Sequence, residues 1–148
     1  HAVGGTGIAA PQVGVVKRLV IYFAKQGRGV YPLEEDLPIT VMINPQIRPG
    51  NDEVFYDWEG CLSVPGLTGL VPRYRDISIT YTNLEGQEIS HKASGFHARL
   101  LQHECDHLDG ILYPQRMDDM SLLIFADQLA HGVPEKAREI LISQEEKK

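Results

Sequence analysis

Two histidines four residues apart give the clearest chemical signal in this sequence. His103 and His107 enclose Glu104 in the pattern His-Glu-x-x-His. On an α-helix, residues i and i+4 lie about 40° apart around the axis, so both imidazoles can bind one metal ion. Glu104 is rotated about 100° from His103, which places its carboxylate beside the metal, where a general base for hydrolysis acts. The pattern therefore predicts a metal-dependent hydrolase.

The apolar residues around the histidines support this orientation. One stripe follows spacings of four, three and four, and it consists of Phe96, Leu100, His103 and His107. Cys105 points away from this stripe and is expected to pack as a small core residue. Apolar residues on both sides of a helix predict a buried, central helix. The alternative is a chance occurrence of the pattern on an ordinary helix with surface histidines.

A catalytic metal site needs a third protein ligand and an open position for water. Downstream candidates are poor, since His131 is the only later histidine. Upstream, Cys61 stands in a turn-rich segment, and its thiolate would be a strong, soft ligand. An inert, buried cysteine is the alternative. A disulfide between Cys61 and Cys105 would compete with any role of Cys61 near the histidines.

The elements that must position these residues can be predicted from periodicity and turn signals. The central helix is expected from about Phe96 to Leu108, with Ser94 as its N-cap and Gly110 at its end. Strands are expected within 15–24, at 41–45 and at 77–82, the last returning as a hairpin over 87–93. Loops are expected at 4–7, 26–38 and 60–69, a C-terminal helix at 135–142, and a charged tail at 143–148. These elements predict one α+β domain over 1–148, with mixed or antiparallel sheets around the central helix and a C-terminal helix.

Composition limits the classes of function. The chain has 148 residues and a formal net charge of −6, which argues against a basic face that binds nucleic acid. No apolar run approaches the length of a membrane span. Two cysteines do not make a disulfide framework, and reducing cytosol is the simplest compartment.

Three segments together resemble the motifs of peptide deformylases. They are Gly5-Thr6-Gly7-Ile8-Ala9-Ala10-Pro11-Gln12, then Glu59-Gly60-Cys61-Leu62-Ser63, then Gln102-His103-Glu104-Cys105-Asp106-His107-Leu108. Their order and separations are similar to those of the family, and the resemblance extends from Gly5 to about Met117. Family members carry a few dozen residues before the first motif, so this chain is expected to lack that segment.

The resemblance implies a role for each matching residue. Cys61, His103 and His107 would bind the metal, usually Fe²⁺ in the family, with Zn²⁺, Ni²⁺ or Co²⁺ able to occupy the site. Glu104 would take a proton from the attacking water and pass it to the departing amine. The Gln12 side-chain amide and the Leu62 backbone N–H would hold the formyl oxygen. Gly7 and Arg73 would hydrogen-bond the substrate.

Two further residues are candidates for the pocket of the first substrate side chain. Phe96 and Leu100 lie on the helix before His103, although core packing would explain them equally well. Glu59 is expected to be structural, for instance through an ion pair with Arg99.

The implied reaction is the hydrolysis of the N-formyl group from the methionine that begins new polypeptides. The partner would be a formylated nascent peptide, encountered at the ribosome without direct nucleic-acid binding, in the bacterial cytoplasm or in an organelle after removal of a targeting segment. Two other classes stay open. A zincin-type metalloprotease would need a third ligand downstream of the helix, and a non-catalytic relative would bind formyl peptides without turnover.

Overall fold

The secondary structure is that of an α+β protein. In the computed structural model, which describes residues 5–27 and 32–146, the chain forms eight β-strands and two α-helices. In chain order these are β1 (Gly7–Ala9), β2 (Leu19–Ala24), β3 (Leu37–Pro49), β4 (Val54–Cys61), β5 (Val64–Tyr74), β6 (Asp76–Thr82), β7 (Glu88–Ser94), α1 (Gly95–Leu108), β8 (Leu123–Phe125) and α2 (Glu135–Glu145). Short 3₁₀ helices connect several of them.

The described residues divide into two compact units. One lies within His1–Glu53 and Tyr74–Ile111, and the other within Val54–Arg73 and Leu112–Lys148. The first contains a five-stranded antiparallel sheet in the order β1-β2-β3-β6-β7, together with α1. The second contains a three-stranded sheet in the order β4-β5-β8, together with α2. The predicted α+β class, with antiparallel sheets, a central helix and a C-terminal helix, is confirmed.

The predicted hairpin of β6 and β7 shows how the first unit builds its core. The register runs from Asp76 opposite Ser94 to Thr82 opposite Glu88. Burial alternates strictly along β6, where every second side chain enters the core. Because strand side chains alternate between faces, the polar residues between them face away from the core. The core residues of β6 are Ile77, Ile79 and Tyr81.

The strand expected at 41–45 is longer than predicted, because the proline at its end does not stop it. β3 continues through Pro45 to Pro49, with an irregular register against β6 between Ile43 and Gln46. Asn44 has a φ of 52°, in the left-handed region. Such a β-bulge accommodates Pro45, which has no N–H to donate to the neighbouring strand.

The loop predicted at 60–69 is wrong, because most of this segment is also strand. Val54–Cys61 and Val64–Tyr74 are strands joined by the two-residue connection Leu62–Ser63. Burial alternates along β4, but two of its buried residues are the acids Asp57 and Glu59. Polar residues on the buried face concealed the period of two that identifies strands in the sequence.

The central helix begins and ends almost where the sequence predicts. α1 spans Gly95–Leu108, and Gly110 follows with a φ of 72°. The backbone N–H groups of Asp109 and Ile111 both donate to the Asp106 carbonyl at 3.0 Å, which closes the helix end. No helix in the described part of the chain is long and apolar enough to cross a membrane.

The C-terminal helix begins after Pro134 as predicted but runs three residues further. α2 spans Glu135–Glu145, so the start of the expected charged tail is helical. One physical reason is that Gln144 makes hydrogen bonds with the backbone of Tyr56, which hold the last turn.

A small group of ionisable rings lies between the sheet and α1. The ring of His97 stacks on that of His91 with centroids 5.7 Å apart, and its Nε2 lies 3.3 Å from the Tyr22 hydroxyl. Burial, followed by the proximity of His91, lowers the pKa of His97 from 6.5 to about 4. The folded state therefore favours the neutral ring.

We expect this histidine to make stability depend on pH. Because its folded pKa lies below its unfolded value, its contribution is fully present above pH 6.5 and is lost as the pH falls towards about 4. The loss is no more than ~1 kcal/mol per pH unit, since the ring is partly exposed. Denaturant unfolding of His97→Gln should show a shallower decline over this range. The same change at exposed His131 is the control, and equal slopes in all three proteins would contradict the prediction.

Candidate active site

The two histidines of the pattern lie on one side of α1. Their ring centroids are 5.0 Å apart and their planes are nearly perpendicular, at 83°. His107 is buried and His103 is half-buried. This is the geometry that the spacing of four residues predicts, because successive helical turns bring such residues onto one face.

Cys61 completes a group of possible metal ligands. The Sγ atom of Cys61 and the ring nitrogens of His103 and His107 all lie within 4.8 Å of one another. In the described part of the chain this is the one group of three or more such side chains that could hold a metal ion. One thiolate and two imidazoles suit zinc and other divalent transition metals, so the donor set fits such an ion.

The sulfur of Cys61 has a nearby backbone donor. The N–H of Ser63 donates to Sγ at 3.4 Å, in the tight connection after β4. A hydrogen bond of this kind favours negative charge on sulfur, which metal binding requires. Both cysteines are free thiols, as expected. Burial raises the pKa of Cys105 to about 12, so this second cysteine stays a thiol, in agreement with a packing role.

Glu104 is buried on α1 and packs against the backbone of Gly7. Only 4% of its surface is exposed. A β-carbon built on Gly7 would lie 2.5 Å from Cδ and 2.7 Å from Cγ of Glu104, so any larger residue here would force the Glu104 side chain to shift. The first motif therefore requires glycine here because the carboxylate of the third motif occupies that space.

Adding one methyl group at Gly7 should displace this carboxylate. We expect Gly7→Ala to lower kcat for amide hydrolysis by at least ~10-fold, because Glu104 is the predicted general base and small misplacements of such a group are costly. Metal content, measured by elemental analysis, should stay at the wild-type value, since none of the three candidate ligands is changed. Unaltered kcat would show that Glu104 can move without consequence.

Gln12 and Leu62 are positioned by local structure. Gln12 lies in the 3₁₀ helix Ala10–Val13, and its Oε1 accepts the N–H of Ala9 at 2.8 Å. Fixing the oxygen orients the side-chain amide, whose nitrogen is the donor group. Leu62 follows Cys61 directly and is 52% exposed. Its backbone N–H thus belongs to the same connection as the candidate ligand.

Arg73 is buried and forms an ion pair with an acid. Its Nε and Nη2 donate to the two carboxylate oxygens of Glu59, both at 3.0 Å, and both residues are buried. Such a two-pronged pair fixes its partners in one geometry. Glu59 is thus held in a buried ion pair with Arg73, and its predicted ion pair with Arg99 stays a prediction. This burial indicates a structural role for Arg73, and its predicted contact with substrate stays a prediction.

Breaking this buried pair should destabilise the protein strongly. Arg73→Met removes both hydrogen bonds that Arg73 donates to the buried Glu59 carboxylate, and removing one partner of a buried ion pair typically costs about 3–5 kcal/mol. The double variant Glu59→Leu with Arg73→Met should recover much of that loss, because the carboxylate is removed together with the guanidinium. Urea unfolding of the wild type and both variants measures the effect. A double variant as unstable as the single one would contradict this interpretation.

The two pocket candidates lie in the core of the first unit. Leu100 is buried in that core, and Phe96 is partly buried against it. This placement corresponds to the core-packing alternative. Sequence reasoning overlooked the role of Gln102, whose Nε2 donates to the Tyr74 carbonyl at 2.9 Å while its Oε1 accepts the Tyr74 N–H at 3.1 Å. The available signal in the sequence was a glutamine beside His103 on a helix expected to be buried, since buried amides require hydrogen-bond partners.

Comparison with known proteins gives one consistent family. The sequence model of the family "Polypeptide deformylase" matches residues 1–122. Peptide deformylase 1 of Nitrosomonas europaea is 47% identical over 88% of this chain and 74% of its own length. Peptide deformylase 2 of Pseudomonas syringae pv. tomato is 51% identical over 86% of this chain and 70% of its own length.

Solved structures agree. The Met-Ala-Ser-bound crystal structure of class I type b peptide deformylase from Acinetobacter baumannii matches with a TM-score of 0.69 and 42% identity, covering 76% of this chain and 70% of that one. The His-Glu-x-x-His helix, the nearby thiol and these likenesses lead to one conclusion. This chain belongs to the polypeptide deformylase family, metal-dependent hydrolases that remove the N-formyl group from nascent polypeptides.

Proposed function

We propose that this chain removes the formyl group from N-terminal formyl-methionine with one metal ion held by Cys61, His103 and His107. The observation that carries the proposal is the grouping of their sulfur and nitrogen atoms within 4.8 Å. Buried Glu104 follows His103 directly on α1. A metalloprotease of the zincin type would instead take its third ligand from downstream of the helix.

The metal in this proposal is Fe²⁺, with Zn²⁺, Ni²⁺ or Co²⁺ able to replace it. When bound, the ion supplies a Lewis acid that polarises the formyl carbonyl and makes a water molecule more acidic. The chain contributes the donors: the thiolate of Cys61 provides charge, and the two imidazoles provide neutral nitrogen. Thiolate ligation also makes the protein sensitive to oxidation, because exposed thiolates react with oxidants.

Glu104 moves the proton in this mechanism. Its carboxylate accepts a proton from the attacking water and delivers it to the nitrogen of the departing amine. Proton transfer by a positioned carboxylate contributes about 10²–10⁴-fold to the rate. Packing against Gly7 holds the carboxylate in place, so little reorganisation is needed during the reaction.

Two donors oppose the charge that develops on the formyl oxygen. They are the side-chain amide nitrogen of Gln12 and the backbone N–H of Leu62. Fixed donors stabilise the transition state most when they are oriented beforehand, and loss of one typically costs ~10²–10³ in rate. The bond from Ala9 to Gln12 Oε1 supplies this orientation for the amide.

The substrate is a formylated nascent peptide in an extended conformation. The related Acinetobacter baumannii protein was solved with Met-Ala-Ser bound, which supports a peptide that begins with methionine. Main-chain hydrogen bonds to the Gly7 region would accept many sequences after the first residue. We place the encounter at the ribosome in the bacterial cytoplasm, where such chains are made. An organelle of bacterial descent is the alternative.

The decisive experiment is formate release from formyl-Met-Ala-Ser by protein prepared without oxygen and loaded with Fe²⁺ or Ni²⁺. We expect one formate and one free amine per peptide, with no turnover of acetyl-Met-Ala-Ser and no cleavage of internal peptide bonds. Cleavage of internal bonds would instead support a protease. Tight binding of the formyl peptide without formate release would support a non-catalytic binding protein.

A further inference from the structure

The C-terminal helix lies beyond the residues matched by the family and binds the strand that ends at Cys61. The family match ends at residue 122, whereas α2 spans Glu135–Glu145. Gln144 Oε1 accepts the backbone N–H of Tyr56 at 2.8 Å, and its Nε2 donates to the Tyr56 carbonyl at 2.8 Å. β4 is an edge strand of the sheet β4-β5-β8. The amide of Gln144 therefore takes the place of a neighbouring strand at this residue.

The same helix also covers one face of β4. The side chains of Tyr56 and Trp58 pack in an apolar cluster with Ala137, Ile140 and Leu141 of α2. The Tyr56 hydroxyl donates to Asp118 Oδ2 at 2.6 Å, and this bond raises the pKa of Tyr56 to about 12. Lys136 of α2 forms an ion pair with Asp119, next to Asp118. These contacts fix the start of β4 from its edge and from one face.

On its opposite face, β4 is held at a residue nearer to Cys61. Phe55, Asp57 and Glu59 are buried on that face, and Glu59 is paired with Arg73 of β5. With both faces and the outer edge held, the strand has little freedom to slide or twist. Cys61 is its last residue, so its position depends on how firmly the strand is held.

We propose that Gln144 is a positioning residue for Cys61, and that α2 thereby sets the geometry of the thiolate ligand. The inference rests on the proposed role of Cys61 as a metal ligand. Glutamine is suited to the task because its amide offers one acceptor and one donor, which match the N–H and C=O of one strand residue. Leucine offers neither, and glutamate offers only the acceptor.

Amide hydrogen exchange of the metal-free protein tests whether the strand depends on Gln144. We expect Gln144→Leu to speed exchange along β4 by about 10-fold, from Tyr56 as far as Cys61, and Gln144→Glu to have a smaller effect. Gln128→Leu is the matched control, since Gln128 is exposed in the same unit and its side chain bonds the neighbouring Asp127. Faster exchange confined to Tyr56, or spread evenly over both units, would overturn the proposal.

The rate of metal release tests whether a less firmly held β4 also changes how Cys61 binds the metal. With Co²⁺ bound, the absorption band of a cobalt–thiolate bond reports on Cys61 directly. We expect Gln144→Leu to shift this band and to release cobalt to a chelator about 10-fold faster, while Gln128→Leu behaves as the wild type. A lower unfolding temperature with an unchanged band and release rate would show that α2 is merely stabilising. If the wild type itself lacks the band, the ligand assignment fails, and exchange at Cys61 still decides whether Gln144 fixes the strand.

Discussion

Glu104→Gln should lower kcat for formate release by about 10²–10⁴-fold while the protein keeps its metal. Glutamine has the same shape, so it fits the space that Gly7 leaves beside α1. It cannot accept the proton of the attacking water or return it to the amine. KM should change little, since the proposed substrate contacts are made by other residues. Steady-state kinetics and elemental analysis of the same preparation measure both quantities.

The control for this variant is Glu85→Gln, which makes the same chemical change in an exposed turn. It should retain wild-type kcat and metal. If Glu104→Gln kept a kcat close to that of the wild type, another group would have to move the proton. If it lost its metal, Glu104 would be part of the binding site rather than a general base.

Cys61→Ala should lose the metal, and with it all measurable activity. It removes one of three proposed ligands and the only one that carries charge. Substitution of residues that merely support a ligand costs 10–100-fold in metal affinity, so we expect a loss greater than ~100-fold here. Equilibrium competition with a chelator measures the affinity, and formate release measures the activity.

Cys105→Ala provides the matched control, because it removes the other thiol of the chain. That thiol lies two residues from His103, but burial raises its pKa to about 12, so it is a poor ligand. Its replacement should leave the metal affinity within a few-fold of the wild type. Retention of metal by Cys61→Ala would contradict the proposed ligand set and favour the zincin alternative.

Much of the site could be predicted because its chemistry depends on spacing along one helix. The i, i+4 rule alone places His103 and His107 on one side of α1, and their rings are indeed 5.0 Å apart. Cys61 is different. Nothing in its local sequence brings it to the helix, so only its occurrence within a second motif indicated it, and the structure then groups it with the histidines.

What could not be predicted depends on contacts between distant segments. The requirement for glycine at position 7 arises from Glu104, 97 residues later in the chain. Arg73 looks like an ordinary surface arginine until β4 and β5 place it against Glu59. The same holds for β4 itself, where buried acids conceal the strand pattern, and for Gln144, whose partner is 88 residues away.

X-ray absorption spectroscopy of the zinc-loaded wild type tests directly whether Cys61, His103 and His107 hold one metal ion. We predict one sulfur ligand at about 2.3 Å and two imidazole nitrogens at about 2.0–2.1 Å, with any further ligand being oxygen. Cys61→Ala, if it retains any zinc, should lack the sulfur. A coordination shell without sulfur in the wild type, or with only one imidazole, would contradict this ligand set.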